Sequence, residues 1–300
     1  MNKLTDKELI EELRIRMIEK TEALYELKSL NEKLIMVNKK LEDSEAMKSH
    51  FISNITNEIV NPFASILGLS KNILSVNKEN WKKVFSMVAM IHTEAFSLDF
   101  QLKNIFAAAK IEAGEIYPEI GKVDIKNLVK SVTDSFRIEA QKKKVSFDVT
   151  FDLPLGEDEI FYFKTDPEKL KLILSNLVNN AIKYCFNDSK IAVVVWSEMS
   201  VMFISVLNQG DSISDEYKQL IFDRFKRIDS SITSINRGHG LGLSIIKSLL
   251  DLLGGNISLQ SDKDNGTTFI IGLPESVEEE DSFKTSLYGN EIFFEDNQVF

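Results

Sequence analysis

From Thr5 to Val60 the chain carries no proline, and in its first fifty residues Ile10, Leu13, Met17, Leu24, Leu27, Leu34 and Leu41 follow a three-four spacing. That period predicts one long amphipathic helix whose apolar stripe needs a partner. Asn31 and Asn38 fall on core positions of the same heptad register, which Lys20 and Glu45 weaken. Asparagine at such a position costs stability but fixes register and strand number, because its amide pairs best with its twin on a partner helix. The expectation is a parallel two-stranded coiled coil; the alternative is a single solvated helix packed on its own domain.

Composition sets outer limits. The 300 residues are 43% hydrophobic and 27% charged, which suits about two domains plus a helical extension. No apolar run approaches the roughly 20 residues that span a bilayer, and the start, Met1 to Lys7, lacks an apolar signal region. A cytoplasmic chain without membrane insertion is expected. Cys185 is the sole cysteine, so no intrachain disulfide forms, and it reads as a small apolar residue at a helix end. Lys+Arg 36 against Asp+Glu 46 leaves a net charge of -10, which argues against nucleic acid as a partner.

Two helical segments, about Glu45 to Leu74 and Trp81 to Ala113, flank a polar turn from Ser75 to Asn80, and Gly114 suits a helix stop. Such a hairpin buries its apolar stripes best against the same hairpin of a second chain, giving a four-helix bundle. Beyond Val123 the period changes. A helix over Asp124–Gln141 precedes a strand over Val145–Phe151, and a helix over Pro167–Tyr184 precedes a strand hairpin, Ile191–Trp196 with Met202–Val206. A helix over Leu241–Leu253 and strands over Asn256–Gln260 and Thr267–Leu273 follow. This order predicts an α+β sandwich with helices on one sheet face. Four regions result: coiled coil 1–44, helical hairpin 45–116, sandwich domain 117–275 and tail 276–300. The tail is acidic at Glu278–Asp281 and aromatic at Phe293, Phe294 and Phe300, and reads as a solvated end or a docking segment.

Asn176 and Asn180 lie four apart on one helix face, with Lys183 about one turn beyond Asn180. An amide oxygen there can complete a magnesium shell shared with phosphate, and the lysine can offset phosphate charge. In Arg237 to Ser244, Gly238, Gly240 and Gly242 precede an amphipathic helix, so bare backbone amides and a helix N-terminus can meet phosphates. Together with Phe222-Asp223-Arg224-Phe225, Gly254-Gly255 and Asn265 to Phe269, these motifs resemble the ATP-binding domain of sensor histidine kinases. That ATPase superfamily also includes gyrase-type topoisomerases and Hsp90-type chaperones. The resemblance implies ATP and Mg2+ as cofactors, Asn180 as magnesium ligand, and Phe222 and Phe225 as anchors of a lid. By the same resemblance Asn176, Lys183, Tyr184, Asn208, Gly210, Gly238, Gly240, Leu241, Gly242 and Thr267 face nucleotide. One motif departs from the family pattern Asp-x-Gly-x-Gly, reading Asn208-Gln209-Gly210-Asp211-Ser212. Asn208 keeps a carbonyl acceptor for adenine, though a neutral bond is roughly half as strong as a charge-assisted one, and Ser212 restricts the loop.

The family's phosphoacceptor helix runs His-Glu-x-x-Asn/Thr-Pro, and this chain has Asn57-Glu58-Ile59-Val60-Asn61-Pro62. Ala109 to Gly114 likewise resembles the end of the family's dimerisation hairpin. An amide nitrogen is delocalised into its carbonyl, so Asn57 cannot act as the nucleophile that a neutral imidazole would be. Glu58 matches the family's base or orienter and Asn61 its water-positioning residue, while Val60 replaces the usual basic residue. His50 stands about 10.5 Å along the axis from residue 57, too far to substitute. His92 reads as a surface or packing residue, and His239 falls within the glycine lid. The expectation is a pseudokinase of a two-component pathway, a homodimer or a heterodimer with a true histidine kinase, regulating that kinase or a response regulator. Two alternatives remain: a phosphatase for a phosphorylated response regulator using Glu58 and Asn61, or an ordinary kinase carrying a His-to-Asn replacement.

Overall fold

The computed structural model describes residues 6–76, 80–154, 159–222 and 241–276, and within its first helix the side chains at 10–39, 42, 56 and from 59 onward. The chain divides into two compact units, Met1–Asn61 and Pro62–Phe300.

The first unit is helical throughout its described length, part of α1 (Asp6–Leu74). No residue in this stretch breaks the helix, and α1 runs through residue 45 without interruption. Ile10, Leu13, Met17, Leu24, Leu27 and Leu34 are all exposed, as are Asn31 and Asn38. Burying each such aliphatic chain would contribute about 1.5–3 kcal/mol. Local support is small: Arg16 pairs with Glu12 at 2.7 Å, a surface i,i+4 contact worth about 0.3–0.5 kcal/mol.

In the second unit α1 continues past the buried Pro62, and α2 (Trp81–Ala113) follows. Gly114 stops α2 in the left-handed conformation, φ 68°, and its N–H reaches Ile111 O while Glu115 N–H reaches Lys110 O. A glycine suits that φ because a side chain would strain it. The sheet holds five strands in the order β2 (Ser146–Asp152), β4 (Lys190–Glu198), β5 (Val201–Asn208), β7 (Gly266–Pro274), β6 (Asn256–Asp262). β2 and β4 run parallel and the other neighbours antiparallel. Alternation puts Ile191, Val193 and Val195 on one face with Val206, Ile204 and Met202 of β5 and Phe269, Ile271 and Leu273 of β7, all buried. Helices α3 (Ile125–Ser135), α5 (Pro167–Tyr184) and α6 (Gly242–Leu252) pack on that face. An α+β sandwich with helices on one sheet face is therefore what the sequence folds into.

Two local expectations need correction. The single helix expected over Asp124–Gln141 is two, α3 and α4 (Arg137–Lys142), parted at Phe136, whose ψ of 7° leaves helical geometry. The Phe136 ring is buried and meets Phe96 and Phe100 of α2 edge-on, at 5.2 and 5.7 Å between centroids, a favourable quadrupole arrangement. Tertiary packing outweighs the local helical pattern there. The other correction is an unanticipated antiparallel pair, β1 (Gly121–Asp124) with β3 (Tyr162–Thr165), whose strands are too short to show a period. This pair is tied to α5 by the buried N-cap Asp166, which accepts from Lys169 N at 2.9 Å and Glu119 N at 2.7 Å and pairs with Lys169 Nζ at 2.5 Å.

Candidate nucleotide site

At one end of the sheet the buried row turns polar. Asn208, Thr267 and Ser261 stand beside one another in register on β5, β7 and β6, and Asn208 and Thr267 are buried. Ser261 and Thr267 hydroxyls are 2.7 Å apart, and Ser261 Oγ accepts from Ile213 N at 2.9 Å. This serine row fixes the chain just past β5, and the alternating pattern of β6 places Ser261 on the inner face, a signal the sequence reading did not use. Gly266, at φ 82°, lies against Asn208 O so closely that a Cβ would overlap it.

The chain beyond Asn208 is held against the end of α5. Gly210 forms an antiparallel bridge with Cys185, and Phe186 N donates to Gln209 O at 2.7 Å. A Cβ on Gly210 would drive into the Tyr184 carbonyl and stand 3.1 Å from Asn208 Nδ2. The turn therefore demands glycine for close approach of two backbones. Lys183 sits beside the Tyr184 ring, 5.3 Å from its centroid, and Lys183 O accepts from Lys143 Nζ at 2.6 Å. Burial pushes the Cys185 thiol pKa up, opposed more weakly by the Lys143 charge, and Sγ donates to Ile182 O at 3.1 Å. A thiol harder to ionise when folded is expected to react with DTNB at least about tenfold faster after unfolding in urea. The sign for stability follows: this group costs nothing below the ordinary thiol pKa and weakens the fold as pH rises through it.

Opposite this turn, α5 and α6 meet. Asn176 is 3% exposed and Leu241 buried, and Ser244 Oγ donates to Leu241 O at 2.9 Å at the start of α6. A Cβ on Gly242 would lie 2.8 Å from Asn176 Oδ1 and 3.8 Å from Asn180 Nδ2, so the two asparagines flank this bare helix start. Asn176 Nδ2 donates to Asn104 Oδ1 at 2.7 Å and Leu172 O at 2.9 Å; Asn104, on α2, was not anticipated from sequence. Asn180 and Asn176 Oδ1 make no hydrogen bond among the described residues. Phe222 ends a 3-10 turn, Leu220–Phe222, and is half-buried. Phe225, Gly238, Gly240 and His239 lie outside the described residues, as do the side chains of Asn57, Glu58 and His50. Asn61 and His92 are exposed.

The structure thus forms two groups: Asn208, Gly210 and Thr267 where β5 and β7 meet the end of α5, and Asn176, Asn180 and Gly242 where α5 meets the start of α6. The donor type fits a magnesium–nucleotide: the amide oxygen of Asn176 is a hard ligand of the kind Mg2+ takes, and the bare Gly242 lets the start of α6 approach it closely. Bound there, Mg2+ would supply charge neutralisation to phosphate oxygens, with the chain's own groups fixing their orientation.

Residues 165–277 match the family model of the histidine kinase-, DNA gyrase B-, and HSP90-like ATPases. Over most of its length the chain is similar to histidine kinases. It is 27% identical over 234 residues to the circadian input-output histidine kinase CikA of Synechocystis sp., across 76% of this chain and 31% of that protein. It is 29% identical over 246 residues to the autoinducer 2 sensor kinase/phosphatase LuxQ of Vibrio vulnificus, across 80% of this chain and 28% of that protein. Among solved structures, full-length ShkA in complex with AMPPNP aligns with a TM-score of 0.53 and 19% identity, over 77% of this chain and 46% of that one, a likeness of fold alone. The chain spans a third or less of the length of the relatives it matches, from 33% of one CikA protein to 16% of a Dictyostelium discoideum hybrid histidine kinase. Among the described residues no helix is long and apolar enough to cross a membrane.

Proposed function

We propose that this chain is a two-component regulator of the histidine-kinase type that binds Mg-ATP and passes no phosphate through residue 57. The observation that carries this reading is the side-chain chemistry of Asn57-Glu58…Asn61-Pro62: an amide stands where the related kinases need a lone pair, in a chain that keeps the asparagine and glycine motifs of a nucleotide site. Within it, Asn180 is the magnesium ligand and Lys183 offsets phosphate charge. Asn208 accepts the adenine amine beside Gly210, and Phe222 and Phe225 anchor a lid over Gly238 and Gly240. The regions 1–44, 45–116 and 117–275 serve as coiled coil, dimerisation hairpin and ATP-binding domain. The exposed apolar stripe of α1 supports association with a second copy or with a true histidine kinase. A response regulator is the natural downstream partner. The test is a calorimetric titration of the full chain with Mg-AMPPNP: saturable binding supports the reading, and its absence at millimolar ligand removes it.

A phosphatase reading has its own support, since Asn61 is exposed and one relative carries the name kinase/phosphatase. A carboxylate and an amide three apart on a helix can face one water. Faster loss of phosphate from a phosphorylated response regulator, abolished by Asn61→Ala, selects it; an unchanged rate discards it.

A further inference from the structure

We infer that Asn104, on α2 and outside the ATPase domain matched by sequence, is a positioning residue of the nucleotide site: it holds Asn176 with its amide oxygen turned toward the metal–phosphate space. The inference rests on the nucleotide-binding reading and deepens it.

Asn104 and Asn176 are both buried, 6% and 3% exposed. Each sends its Nδ2 to the carbonyl four residues back in its own helix, Asn104 to Phe100 O at 2.9 Å and Asn176 to Leu172 O at 2.9 Å. A backbone carbonyl accepts only, so both amides are pinned in one flip state. Asn104 Oδ1 then accepts the second proton of Asn176 Nδ2 at 2.7 Å. With both protons of that nitrogen used, Asn176 Oδ1 is the atom left facing Gly242, 2.8 Å from where a Cβ would stand, with Asn180 Nδ2 near the same point.

A magnesium shell takes oxygen and rejects an amide nitrogen. An unpinned asparagine would offer nitrogen part of the time, and groups that orient a ligand in this way are worth about 10–100-fold in metal affinity. Asn104 has a seat on which to act, because Phe100 and Phe96, one and two turns before it, hold α2 edge-on to Phe136, and α2 also meets α6. Any displacement of α2 would release the Asn176 amide, so the position of that helix and the magnesium affinity of the site are linked.

The experiment titrates the full chain with AMPPNP in magnesium and in EDTA, for the unmodified protein, Asn104→Ala, Asn104→Asp, Asn176→Ala and the Asn104→Ala/Asn176→Ala pair. Asn104→Ala is expected to weaken binding about tenfold in magnesium and less than about twofold in EDTA. Asn104→Asp, which keeps the acceptor, is expected to retain most of the magnesium-linked affinity. In the Asn176→Ala background the change at residue 104 should have no further effect. Equal losses with and without magnesium, no loss, or the same loss without Asn176 would overturn the assignment. Should Asn104→Ala lack a cooperative melt, Asn104→Thr, too short to reach Asn176 Nδ2, carries the same comparison. An unmodified chain that binds AMPPNP in neither buffer overturns the nucleotide-binding reading itself, an outcome separate from the others.

Discussion

Gly210→Ala is expected to abolish measurable nucleotide binding and to lower stability by about 3 kcal/mol, one of the largest effects available to a single added methyl group. The cause is local. The new Cβ would collide with the Tyr184 carbonyl, and that carbonyl is backbone at the end of α5, where Cys185 bridges Gly210 and Phe186 N holds Gln209 O. Relief requires the strand exit to move away from α5, which carries Asn208 out of the buried row it shares with Thr267. Thermal melts and AMPPNP titrations check the result. Gly68→Ala is the control: no atom lies within 4 Å of its Cβ position, and in a helix the change should stabilise by about 0.5–1 kcal/mol. A Gly210→Ala chain that binds and melts like the unmodified protein would show that the turn at Gly210 is not the adenine end of the site.

On the proposed function, Asn57→His is expected to yield a chain that labels itself, raising acid-labile phosphate at least about tenfold above the unmodified protein. A neutral imidazole nitrogen has a free lone pair. It attacks the terminal phosphorus of ATP, forms a nitrogen–phosphorus bond as the bond to the ADP oxygen breaks, and gives up its ring proton to solvent or to Glu58. Glu58 and the residues proposed to bind ATP are already in the sequence, so under the proposal the missing element is the nucleophile. The label should be lost in acid, stable in base, and absent from an Asn57→His/Asn180→Ala chain. No gain of label would mean that the divergence extends to Val60, Asn208 or Ser212, and that restoring one atom type does not restore the reaction.

Much of this fold was legible before the coordinates, for reasons that can be named. Helix α5 was read with its observed ends because Asp166-Pro167 is both a cap and a proline at a first turn. The β4–β5 hairpin and β7 showed their alternation over eight or nine residues. β1 and β3 have four residues each, fewer than any period can mark, and they exist because they pair with each other. The break at Phe136 comes with its packing on Phe96 and Phe100 of α2, about 40 positions earlier, which no local window contains. Motif order in the sequence points to Asn180, Asn208 and Gly210 as nucleotide-facing residues. Asn104 was not, because a polar residue on a long helix reads as a solvated face until its partner on another element is known.

Incubating the unmodified full chain with γ-labelled ATP and Mg2+, under conditions where AMPPNP binding is saturated, tests the central claim most directly. The expected result is bound nucleotide with no acid-labile label on the chain. Stable incorporation at an acid-labile site in the unmodified protein would contradict the account.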